Sequence, residues 1–85
     1  MIELDLPKKI TITTSDNFFL DNDIKGIYLE EKSEINLQGK IKLGENITFS
    51  GKVSILEGAH IENGCILRDI EIGLGNHIRA YSILE

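Results

Sequence analysis

Eighty-five residues carry nine Lys and Arg against fourteen Asp and Glu, a formal charge of −5, with one Pro, one Cys and no Trp. A chain this short holds one domain at most, and its lone Cys65 excludes both an intramolecular disulfide framework and a cysteine-built zinc site. The acidic balance argues against nucleic acid as a partner, and the absence of a signal-peptide h-region or a membrane-length apolar run argues for a soluble, cytoplasmic protein with no membrane partner.

The first twenty-five residues read differently from the rest. Ile10 and Ile12 alternate with Thr11 and Thr13, which predicts a strand. Phe18-Phe19-Leu20 is an aromatic cluster followed by the turn-like Asp21-Asn22-Asp23. Residues 1–36 hold eight acids and four bases, whereas residues 37–85 hold six acids and five bases. That shift marks two sequence regimes.

From Leu37 onward the chain repeats. Large apolar residues return every six positions at Leu37, Leu43, Phe49, Ile55, Ile61 and Leu67. A second series runs four behind each, at Ile41, Ile47, Val53, Ala59 and Cys65. After Leu67 the phase slips by one residue, with Ile70 arriving early, and resumes at Ile72, Ile78 and Leu84. Asn76 and Ser82 then fill the second series, and Asn76 is read as a corner that absorbs the slip. A six-residue period is the signature of a parallel β-helix.

Each hexapeptide supplies a short strand and a turn, and three close one triangular coil of eighteen residues. Asn46, Gly58, Gly64 and Gly75 fall where a tight corner demands positive φ. Both apolar series face inward, and each buried Ile or Leu contributes about 1.5–3 kcal/mol. Gly recurs too often for helix, and no 3.6 period survives. The predicted fold is all-β: a parallel β-helix of about three coils over residues 26–85, with residues 1–25 as an N-terminal capping segment. In that cap Phe18 and Phe19 close the open end of the core; a partly disordered leader is the other reading.

The run ILEGAHIENGCILRDIEIGLGNHIRAYSILE resembles the left-handed β-helix of hexapeptide-repeat transferases. More narrowly, residues 26–85 resemble the start of the acetyltransferase domain of the bifunctional N-acetylglucosamine-1-phosphate uridyltransferase / glucosamine-1-phosphate acetyltransferase family. Gly26-Ile27-Tyr28-Leu29 and Ile35-Asn36-Leu37-Gln38-Gly39 are similar to the junction that precedes its β-helix. Gly64-Cys65-Ile66-Leu67 and Ala80-Tyr81-Ser82-Ile83-Leu84-Glu85 are similar to its early coils. The resemblance implies left-handed coiling and trimerisation through β-helix faces. No position here matches the family's nucleotide loop, metal-binding acid, acetyltransferase His or acyl-CoA coils. No catalytic residue, cofactor or metal is therefore carried over.

Two outward columns are candidates for function. His60 and His77 are seventeen apart, one coil after the slip, with Lys42 one coil earlier. Such a ladder can serve as a general base with a cationic neighbour, or as half of a metal site shared between subunits; the plainer reading is two exposed imidazoles. Ile66 and Ile83 are stacked likewise, with Thr48 one coil earlier; β-branched apolar side chains in outward register point to an interface, the plainer reading being tolerated surface isoleucines. Cys65 lies in the inward series and reads as a buried structural thiol. The open C-terminal coil is either buried by self-association or continued as the front piece of a longer β-helix; the initiating Met and distinct leader favour a stand-alone protein.

Three functions follow. The first is a non-catalytic, oligomerising β-helix related to the transferase family. The second is an accessory chain of amino-sugar nucleotide metabolism, completed by a separate uridyltransferase chain. The third is a minimal acyltransferase with an inter-subunit site around His60 and His77.

Overall fold

A computed structural model describes residues 1–85 and shows a parallel β-solenoid of about three turns. After β1 (Ile2–Thr13) and the short α1 (Phe18–Asp21), the chain coils through β2 (Ile27–Leu29), β3 (Glu34–Leu43) and β4 (Ile47–Ser50). It continues through β5 (Lys52–Ile55), β6 (His60–Ile61), β7 (Ile66–Arg68), β8 (Glu71–Ile72), β9 (His77–Ile78) and β10 (Ile83–Leu84).

Three faces result. The first stacks β2, β4, β7 and β10. The second stacks the first half of β3 with β5 and β8, and the third stacks its second half with β6 and β9. Every pair within these faces is parallel, as a coil requires of strands one turn apart. The pairings also give the coil length. Glu34 faces Lys52 and Lys42 faces His60, eighteen residues on, while Ser54 faces Glu71 and His60 faces His77, seventeen on.

Both inward series are where the six-residue period puts them. Leu37, Leu43, Phe49, Ile55, Ile61 and Leu67 are fully buried, and Ile41, Ile47, Val53, Ala59 and Cys65 are at most 1% exposed. They belong to one cluster of seventeen buried residues, the hydrophobic interior that balances the ordering of so short a chain. Asn46, Gly58, Gly64 and Gly75 all have positive φ, as corner residues should. Gly64 shows why one corner needs glycine twice over: its φ is +76°, and a Cβ there would lie 2.4 Å from Tyr81 Cδ1.

One expectation fails. Asn76 is exposed and does not absorb the slip. The register changes earlier, between Ser50 facing Arg68 and Ser54 facing Glu71. There the chain makes the corner one residue short. Asp69, at φ 47°, sends its Oδ1 to accept the Lys52 backbone N–H at 2.9 Å. A side-chain oxygen thus supplies an acceptor at the shortened corner, and Ile70 swings in to pack against the core. Nothing is left for Asn76 to compensate; its carbonyl simply accepts the His60 N–H at 2.9 Å.

Residues before Ile27 lie across the N-terminal end. β1 pairs antiparallel with β3 along both of the faces β3 serves, with a register shift between Leu6 and Ile10 where β3 turns its corner. Sequence alternation predicted only the Ile10–Thr13 part of this strand. Phe19 is buried and stacks on Phe49, with ring centroids 6.3 Å apart, and Phe18 meets Phe19 edge to face at 5.3 Å. Ile24 is buried beside them in the same cluster.

Candidate functional site

Because strands one coil apart are in register, each outward position builds a column, and the columns decide what each face can do. On the first face, Tyr28 pairs with Thr48, Thr48 with Ile66, and Ile66 with Ile83. Tyr28 and Ile83 are exposed, while Thr48 and Ile66 are half-buried. This column carries no charge. Beside it run Glu30, Ser50, Arg68 and Glu85, tied by Ser50 Oγ donating to Glu30 at 3.0 Å and by an Arg68–Glu85 ion pair at 3.8 Å.

The structure therefore unites Thr48, Ile66 and Ile83, the three positions singled out in the sequence, and adds Tyr28. Tyr28 was not found because it stands twenty residues before Thr48, outside the hexapeptide spacing. The in-out-in pattern of Ile27-Tyr28-Leu29, half-buried on either side of an exposed Tyr, was the available signal.

The other two faces are polar. The second presents Glu34 beside Lys52, an ion pair at 3.7 Å, and Asn36, Ser54 and Glu71 in one column. The third carries Lys42, His60 and His77 in one column, as their spacing predicted, and β1 extends it by Glu3. The two imidazoles stack with centroids 4.4 Å apart and planes 5° from parallel.

The partners on this third face are mutual. Lys42 Nζ reaches Glu3 at 3.6 Å, and His77 Nε2 contacts the Glu62 carboxylate. His60 Nε2 is buried with no hydrogen-bond partner. No three His, Cys, Asp or Glu side chains come together in an arrangement that could hold a metal ion. An open groove of about 570 Å³ lies between β1, β3 and β6, walled by Glu3, Asp5, Lys40, Lys42 and His60 over Gly58 and Ala59. Its charges alternate, with Glu3 opposite Lys42 and Asp5 opposite Lys40, so the groove has no field of one sign.

Cys65 is completely buried, and its thiol donates to the Arg79 carbonyl at 3.1 Å. No helix is long and apolar enough to cross a membrane.

The coil geometry agrees with the comparison of sequences. The chain is 32% identical over 66 residues to the bifunctional protein GlmU of Bordetella petrii, a match covering 71% of this chain. The chain is related to the GlmU family. The bifunctional protein GlmU of Baumannia cicadellinicola is 33% identical over 66 residues, and that of Janthinobacterium sp. is 30% identical over 67, covering 71% and 72% of the chain. The matched segment is only 14% or 15% of the length of these relatives. No protein-family model matches the chain, and no solved structure matches it significantly.

Proposed function

We propose that this chain is a non-catalytic, self-associating β-solenoid of the GlmU lineage, with the first face as its contact surface. The observation that carries the reading is the difference between faces. Each of the three carries an ion pair, but the first alone also presents a column with no carboxylate, basic group or imidazole in it: Tyr28, Thr48, Ile66 and Ile83. A chain of net charge −5 repels its own copies, so contact falls where charge is least. The flanking column holds both signs, Glu30 and Glu85 with Arg68, which lets identical faces meet without a single-sign clash. The occupant is a second copy, in the threefold arrangement that the hexapeptide resemblance implies.

A scaffold role also fits the candidate chemical groups. Lys42 and His77 are engaged by Glu3 and Glu62, and the His60 nitrogen is covered. The test is solution mass together with two turnover assays, acetyl-CoA with glucosamine-1-phosphate and UTP with N-acetylglucosamine-1-phosphate. An oligomer without turnover supports the reading; turnover by the purified chain overturns it.

One observation favours a second reading. The relatives are named as bifunctional, yet the match takes in about one-seventh of their length. A separate uridyltransferase chain that co-purifies with this one would make it an accessory subunit of amino-sugar nucleotide metabolism.

A further inference from the structure

One strand breaks the rule that every other pair obeys. β1 runs antiparallel along the outer edge of β3 and turns the corner with it. Its inward residues Ile2, Leu4, Ile10 and Ile12 stand opposite Leu43, Ile41, Leu37 and Ile35. Leu4 and Ile12 are buried. On its outward side Glu3 pairs with Lys42, Asp5 stands opposite Lys40, and Thr11 Oγ1 donates to Asn36 Oδ1 at 2.7 Å. Phe19 and Ile24 fill the coil behind it.

Remove this segment, and the outer edge of the ten-residue β3 presents unpaired donors and acceptors at alternate positions beside an open apolar interior, its other edge being held by β5 and β6. Such an edge is a template for strand addition. The structure itself shows which addition fits: an antiparallel strand that bends at the same corner and matches inward residue to inward residue. A second β3 meets that description. A twofold axis through Gly39 sets Ile35 opposite Leu43 and Leu37 opposite Ile41 of the other copy, the parity that β1 uses. It also sets Lys42 opposite Asn36 and Lys40 opposite Gln38, so no like charges face each other.

We infer that residues 2–24 are an anti-association cap, occupying a strand-addition surface whose competing occupant is the β3 edge of a second copy. This surface is at the end of the coil, apart from the lateral first face, and its role does not depend on that face.

The test uses the full chain carrying Ile83→Lys, so that lateral association is suppressed. Ile12→Asp then places a carboxylate at a position only 2% exposed and drives the cap away. The expected result is a species of twice the chain mass, with the resonances of residues 44–72 preserved. Excess synthetic peptide of residues 2–13 returns it to single-chain mass. Leu4→Lys, which attacks the other half of the strand, gives the same doubled species. An unchanged mass, a doubled species that the peptide fails to reverse, or loss of the 44–72 resonances would overturn the inference. The last outcome would make the strand part of the core rather than its cover.

Discussion

Asp69 Oδ1 accepts the Lys52 backbone N–H at 2.9 Å, and this bond braces the corner where the solenoid drops a residue. Gly51 lies directly beneath: a Cβ there would fall 2.0 Å from the same oxygen. Asp69→Ala removes the acceptor and keeps a Cβ at positive φ, and costs about 1 kcal/mol. Asp69→Asn keeps both the oxygen and a residue tolerant of that conformation, and is close to neutral. Gly51→Ala costs more than either, because it adds backbone strain at φ +69° to the displacement of the Asp69 carboxylate. Urea unfolding midpoints of the three variants rank these effects.

The Phe19–Phe49 stack joins the leader to the first coils. Phe49→Ala leaves a cavity in a fully buried site and costs about 3–5 kcal/mol. That is a large share of the roughly 5–15 kcal/mol available to a whole domain. A melting curve that barely moves would show that the two rings do not bear on each other.

His60 and His77 stack, but His60 Nε2 has no partner. His60→Phe retains a ring to stack and deletes the uncompensated nitrogen, so stability is unchanged or rises by up to about 1 kcal/mol. His60→Ala loses the stack as well and falls below the parent. Thermal melts at neutral pH separate the two; a marked loss in His60→Phe would mean that the nitrogen has work to do.

Cys65, at 0% exposure, is shielded by the coils above and below it. Native protein resists thiol-specific labelling, and reaction follows the unfolding transition rather than preceding it. Cys65→Ser costs about 1 kcal/mol, because the buried hydroxyl loses the thiol's packing and its solvation but keeps the Arg79 carbonyl as an acceptor. Prompt labelling in the absence of denaturant contradicts this.

How far the sequence could be read depended on the range of the interaction that fixed each element. Leu37 through Leu67 repeat at a spacing set by local geometry, so coil, corners and core were legible together. Lys42, His60 and His77 followed from the same period, as did Thr48, Ile66 and Ile83. Ile2, Leu4 and Leu6 also alternate with charged residues, but Pro7-Lys8-Lys9 interrupts the pattern, and their partners lie some forty residues away in β3. Tyr28 escaped because the first coil is longer than those that follow. The slip between Leu67 and Ile72 was legible in the same period, but the corner that absorbs it was assigned to Asn76 rather than Asp69, because a side-chain acceptor at a corner leaves no trace in hydrophobic periodicity.

The most direct test of the account is the solution mass of the parent chain and of Ile83→Lys, by light scattering across a dilution series. Ile83 is 64% exposed, so the substitution spares the core and adds a charge to the apolar column. The account predicts a discrete oligomer for the parent and 9.5 kDa for the variant. A parent that already runs at 9.5 kDa over the whole series, or a variant whose mass matches an oligomeric parent, would contradict it.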